Sequence, residues 1–403
     1  MDNVDFYMMN FDKIIDRSNR GARKIDYPLS LGESIDTIQM WIADMDFETA
    51  PCVKAALKDL VEYGVFGYTD YNNKYFDSVI DWFDKRYNFE IKSEEVLRTP
   101  GVIFALAMAV RAFSKENESV LIFNPEYVAF REVTDLNKRK IIESNLKLEN
   151  NRYYIDYDDV ERKIKENDVK ILMFCSPFNP CGRVWDKEEL VKLAKICVDN
   201  NVIIVSDEIH MDFVWGDNKH IIFLDALKDN NELYEKAKKL TIINTSVSKT
   251  FNLAGLQVAN TIIKDKTLRA KLESEIGKTG YHRISQPAQV ALMAAYTEEG
   301  YDWVCELKKY IYNNILFVKD YIKNNISKIN VVETEGTYLM WLDFREYGLD
   351  DGELQKKLIN EAKVHLDNGL KFGSLGNGFM RMNVATSQKN IEKALNNIKS
   401  VFG

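Results

Sequence analysis

Cysteine, histidine and proline are all scarce in this chain, and each shortage removes a class of protein. The five cysteines (Cys52, Cys175, Cys181, Cys197, Cys305) are an odd, scattered set without a C-x-x-C pair. Neither a disulfide framework nor a thiolate zinc site is expected from them. The four histidines (His210, His220, His282, His365) show no H-E-x-x-H spacing, so no metal centre is expected either. Seven prolines and 19 glycines spread over 403 residues leave no flexible linker and no internal repeat. An excess of positive charge is also missing: 54 Lys and Arg face 62 Asp and Glu, for a net charge of -8 and a pI near 5.4. A nucleic-acid or anionic-membrane partner is therefore not expected, although a small basic pocket for one anionic ligand is allowed. No apolar run approaches the ~18 residues of a membrane span; residues 101–113 come nearest and contain Arg111. Residues 1–10 are acidic and lack an apolar stretch, so no signal peptide is expected. These shortages fit a soluble protein of a reducing, cytoplasmic compartment.

What is present is core material. The chain is 46% hydrophobic and 29% charged, which suits a globular protein, and its length suggests about two to three domains. Between about residue 95 and residue 265, short apolar runs alternate with helical periods. Strands are expected at 119–123, 170–174, 201–206, 240–245 and 256–263. A helix is expected over 186–200, with Asp186 as N-cap, Glu189 three residues later, and Leu190, Leu193, Ala194 and Cys197 at helical spacing. Such alternation predicts an α/β domain with a mainly parallel sheet flanked by helices. Beyond Gly300, Val304, Leu307, Ile311, Ile315, Val318 and Ile322 recur at steps of three and four, the pattern of one long amphipathic helix. Strands at 338–344 and 379–385, with a helix over 351–366 between them, complete a smaller α+β domain. The division expected is an N-terminal segment, 1–50, that joins the small domain, then a large domain, 51–290, and the small domain, 291–403.

In an open α/β sheet, ligands sit at the carboxyl ends of the strands. Those ends read Asn124-Pro125-Glu126-Tyr127, Ser176-Pro177-Phe178-Asn179-Pro180, Asp207-Glu208-Ile209-His210 and Ser246-Val247-Ser248-Lys249. Each has an ordinary explanation as a turn, a solvated strand end or a surface lysine. A P-loop reading of Asp207 with Gly277-Lys278-Thr279 fails, because the glycine required five residues before Gly277 is Leu272. Lys249 stands among Ser246, Ser248 and Thr250 and enters the small-residue run Asn252-Leu253-Ala254-Gly255. That setting suits a desolvated amine able to form a Schiff base. Arg381 alternates with Met380 and Met382, so it is either a solvent-facing arginine or a bidentate clamp for a carboxylate. Gly101-Val102-Ile103 opens an apolar helix whose backbone N–H groups could face a phosphate.

Together these segments resemble the fold type I pyridoxal-phosphate enzymes of the class I/II aminotransferase superfamily, and within it the MalY/PatB-type cystathionine β-lyases. The resemblance rests on Trp41-Ile42-Ala43-Asp44-Met45-Asp46-Phe47, on Ser176 to Trp185, on Ser206-Asp207-Glu208-Ile209-His210, on Ser248 to Leu256, and on Phe379-Met380-Arg381-Met382-Asn383. Order and spacing hold from Asn10 to Arg381. The resemblance implies that Lys249 carries pyridoxal 5'-phosphate covalently and moves the Cα proton, while Asp207 pairs with the pyridine nitrogen. It also implies that Asn179 donates to the phenolic oxygen, Tyr127 stacks on the ring, and His210 belongs to the cofactor-binding set. Gly101, Val102 and Ile103 would cradle the phosphate with Ser246 and Ser248. Tyr68 would reach that phosphate from the neighbouring protomer of a homodimer, with a catalytic part as well, and Arg381 would hold the substrate carboxylate. Three departures stand out: Phe178 where many relatives have His, Cys181 before Gly182, and Gln257 where aspartate-type enzymes carry arginine. The activity implied is β-elimination from cystathionine or related cysteine S-conjugates, giving thiol, pyruvate and ammonia. The alternatives are an aminotransferase on the same residues and a regulatory protein that merely retains the cofactor.

Overall fold

The computed structural model describes residues 9–281 and 283–403. His282 and residues 1–8, most of the stretch read for a leader, lie outside the described residues. Seven strands make the main sheet. Their spatial order is Val96–Thr99, Ala259–Ile262, Thr241–Thr245, Ile203–Asp207, Val169–Cys175, Ser119–Asn124 and Lys140–Asn145. Ala259–Ile262 runs antiparallel to both neighbours, and every other pairing is parallel. The central strands are buried almost throughout, with only Lys170 and Ile203 partly exposed near their starts, as a sheet covered on both faces demands. This is the mainly parallel α/β sheet that the alternation predicts.

The crossover helix Lys187–Asp199 starts where its capping box places it. Asp186 accepts from the Glu189 N–H and Glu189 accepts from the Asp186 N–H, each at 2.9 Å. Leu190, Leu193, Ala194 and Cys197 are its buried face. The long helix is Glu298–Asn325, capped by Thr297, with Val304, Leu307, Ile311, Ile315, Val318 and Ile322 buried. It packs near a four-stranded sheet ordered Asn330–Val331, Leu339–Asp343, Phe379–Asn383, Asp367–Asn368. A parallel pair, Ile38–Gln39 with Val364–His365, ties the N-terminal segment to this part of the molecule.

Several expected boundaries shift for identifiable reasons. The helix expected over 351–366 ends early: Asp351–Lys356 passes into one π-turn, Lys357–Glu361. Lys363 then takes a left-handed φ of 54° and Val364 pairs with Ile38, a partner more than 300 residues away that local periodicity cannot reveal. The strand expected at 256–263 is only Ala259–Ile262, because Ala254–Leu256 forms a 3-10 turn and Gln257 is left-handed at φ 59°. The strand expected from residue 201 begins at Ile203, after the left-handed Asn201. Arg381 is not solvent-facing, since all five residues of Phe379–Asn383 are buried.

Candidate active site

Three neighbouring parallel strands end together and deliver the site. Register pairs Cys175 with Asp207 and Asp207 with Asn244, so the loops after these strands emerge side by side. Asp207 closes its strand with only 2% exposure. Its Oδ1 accepts from the Ile209 N–H at 3.2 Å, and no ion pair reaches it among the described residues. Burial pushes its pKa up from the ordinary 3.8 to about 7, against the attraction of Lys249. Lys249 lies on the short helix Val247–Thr250, whose first turn is capped by Ser246. Desolvation, helped by the charge of Arg381, brings its pKa down from 10.5 to about 8. The amine donates to Ala43 O at 2.5 Å, and Tyr338 Oη donates to the same oxygen at 3.1 Å.

Arg381 is held at its tip by three acceptors. Nη1 donates to Asn179 Oδ1 at 2.9 Å; Nη2 donates to Trp41 O at 2.9 Å and to Asp367 Oδ2 at 2.7 Å. His210 is buried with its ring edge toward Tyr338, and burial together with the charges of Lys249 and Arg381 holds its pKa well below the usual value. It is therefore a neutral imidazole near neutral pH. Tyr127 is partly buried at the start of the helix Val128–Leu136, and desolvation followed by the charge of Asp207 raises its pKa. Gly101 caps the apolar helix Val102–Phe113 at φ 134°, a conformation that favours glycine. A β-carbon there would stand 3.5 Å from Gln257 Oε1, so Gln257 lies over the helix N-terminus. Ser246 Oγ donates to Val258 O at 2.6 Å and lies 2.7 Å from Ser248 Oγ.

The structure thus links these residues pairwise: Lys249 feels the charges of Arg381 and Asp207, His210 those of Lys249 and Arg381, and Arg381 donates to Asn179. Tyr68 is elsewhere. It is 98% exposed and lines a surface cavity of about 750 Å³ with Phe66, Thr69, Arg283 and Gln286. Ile103, half exposed, faces outward from its helix, so within that segment only backbone is available to a phosphate.

The loop Trp41 to Phe47 is anchored by residues that its own sequence does not announce. Asn383 Nδ2 donates to Ile42 O and Asp44 O, and Asn252 exchanges hydrogen bonds with Met45 and donates to Phe47 O. Arg17 and the buried Lys24 pair with Asp44 and Asp46 behind it. The anchored loop leaves Ala43 O for Lys249 and Trp41 O for Arg381. Asp367 is unannounced as well, although both strand segments around it are short and polar. Only the register that sets Asp367 opposite Arg381 exposes its part.

The profile of the family described as Aminotransferase class I and II matches residues 35–398. Cystathionine beta-lyase PatB of Bacillus subtilis (strain 168) is 35% identical, with 98% of this chain and 100% of that protein covered. Protein MalY of Escherichia coli (strain K12) is 33% identical over 96% of this chain and 97% of its own length. Among solved structures, cystalysin from Treponema denticola, which contains a pyridoxal 5'-phosphate cofactor, superimposes with a TM-score of 0.92. It is 32% identical, with 98% of each chain covered.

Proposed function

The chain belongs to the class I and II aminotransferase family, and we propose that within it this protein is a pyridoxal-phosphate-dependent carbon–sulfur lyase. Its reaction is β-elimination from L-cystathionine or related cysteine S-conjugates, with water, to thiol, pyruvate and ammonia. The observation that carries the cofactor is Asp207, a carboxyl 2% exposed with a raised pKa and no ion pair among the described residues. A pyridinium nitrogen is the counter-charge such a group lacks. The remaining residues fit the same group: an amine of lowered pKa, the aromatic face of Tyr127, the amide of Asn179, and a glycine-opened helix N-terminus beside Ser246 and Ser248. When bound, pyridoxal phosphate supplies an electron sink that eases loss of the Cα proton and departure of a thiolate from Cβ.

The chain's own residues do the rest. Asp207 would pair with the ring nitrogen and favour its protonated form. Lys249 would hold the cofactor through its amine, and burial beside Arg381 keeps that amine less basic than an ordinary lysine, suited to take and return the Cα proton. Ala43 O and Tyr338 fix the position of that amine. Arg381 orients the substrate through its carboxylate. His210, neutral and buried, adds no charge that would compete with the ring nitrogen for Asp207. The working unit is a homodimer in the cytoplasm, in which exposed Tyr68 completes the partner's site. The division into 1–50, 51–290 and 291–403 separates the cofactor-binding sheet from the part that carries Arg381.

Product analysis tests the reading. L-Cystathionine or an S-alkyl-L-cysteine, supplied without any 2-oxo acid, should give sustained release of pyruvate, ammonia and thiol. A single half-turnover that resumes only on adding a 2-oxo acid would establish an aminotransferase instead.

A further inference from the structure

The guanidinium of Arg381 already holds a carboxylate. Asp367 and Arg381 are directly opposed cross-strand neighbours, so their side chains rise from one face of the sheet. Asp367 Oδ2 lies 2.7 Å from Nη2, and among the described residues Arg381 makes no other ion pair. Trp41 O and Asn179 Oδ1 are neutral acceptors at 2.9 Å. The face of Phe372 lies 4.6 Å from the guanidinium carbon. Three of the five N–H groups are thus engaged, and Nε–H is buried without a partner. Asp367 is itself braced, since exposed Lys371 donates to its Oδ1 at 2.8 Å while lying over the Trp41 ring.

We propose that Asp367 is the positioning residue of the carboxylate clamp: it fixes the plane of the Arg381 guanidinium against which the substrate's α-carboxylate docks. This rests on the function proposed above and assigns the residue that sets affinity within it. Asp367 is the anionic acceptor among the three, at 2.7 Å, and adds the attraction of a full negative charge to its hydrogen bond, so Asp367, more than Trp41 O or Asn179, decides where the guanidinium lies. The pair also lowers the net charge of the clamp. Arg381, Asp367 and Lys371 together carry one positive charge, which matches one α-carboxylate. Asp367 touches no reacting atom, so its loss acts on binding and leaves the chemical step alone.

The test uses the cofactor-loaded protein and two variants, Asp367→Ala and the near-isosteric Asp367→Asn, the second guarding against misfolding. L-Alanine, which has no leaving group, is titrated while the absorbance of the bound cofactor and the heat of binding are followed. Both variants should load cofactor normally and bind L-alanine about tenfold or more weakly, with KM for a cysteine conjugate rising equally and kcat within about threefold. Lys371→Ala should shift binding far less, because its ammonium is exposed and screened. Unchanged or tighter binding in Asp367→Asn would overturn the proposal, making Asp367 a bystander or a competitor. A fall in kcat at constant KM would also overturn it. If the native protein itself gives no response to L-alanine, the proposed function fails and this inference with it. A native response matched by both variants sinks this inference alone.

Discussion

The Asp207 carboxyl is buried without an ion pair among the described residues, and that arrangement has a cost that pH reveals. Its pKa is raised from 3.8 to about 7. Between those values the folded, cofactor-free protein binds a proton that the unfolded chain has released, so stability falls as pH rises through that window. Above pH 7 the loss is on the order of 4 kcal/mol. Asp207→Asn removes it. In urea unfolding without cofactor, the variant should therefore be the more stable protein at pH 7.5, by a few kcal/mol at about the same order, with the gap closing toward pH 4. A gap that does not vary with pH would contradict the burial argument. With cofactor bound the same variant should load normally yet lose several orders of magnitude in rate, because a neutral amide cannot hold the ring nitrogen protonated. Lys249 gives the complementary expectation. Borohydride reduction of the loaded protein should fix the cofactor on the peptide containing Lys249, and recovery on any other lysine would refute the assignment.

At the scale of elements, local chemistry decides what a sequence reader can see. Asp186 and Glu189 form a reciprocal capping box at the start of Lys187–Asp199, and all of its determinants lie within four residues. Asp186→Ala should cost about 1 kcal/mol, read as a lower urea midpoint at unchanged slope, while Glu188→Ala beside it should cost far less. Equal losses in the two would mean that capping is not what starts this helix. The same locality made the strand-end placement of Lys249, Asp207 and Asn179 legible, since each ends or follows a strand whose apolar run announces its own end. The pairing of Val364 with Ile38 was not legible, and neither was the neutral state of His210. The first depends on a partner in the N-terminal segment, and the second on burial and on the charges of Lys249 and Arg381. Asp367 falls in the same class: nothing in Leu366-Asp367-Asn368 signals a role until register sets it against Arg381. The solvent-facing reading of Arg381 failed for a related reason, because alternation says which residues share a face but not what covers that face.

At the scale of the whole molecule, the residues around Tyr68 are out of keeping with a free surface. Val61, Tyr63, Val65 and Phe66 are each more than half exposed, and Tyr68 is 98% exposed, an apolar stretch of the kind that marks an interface. None of these side chains approaches Lys249 of its own chain through any described contact. The homodimer proposed above would account for both observations, because an isologous interface can bury this stretch while carrying Tyr68 into the opposite site. The arrangement makes a prediction that separates it from a structural role for Tyr68. Tyr68→Ala and Lys249→Ala should each be nearly inactive alone, the first for want of the partner's tyrosine and the second for want of the amine. Mixed in equal amounts and allowed to exchange protomers, they should recover about one quarter of native activity, since half the dimers are mixed and each mixed dimer has one site with both residues intact. Were Tyr68 serving the site of its own chain, the mixed dimer would contain no intact site, and activity would stay at the level of the separate variants after exchange had been verified by mass.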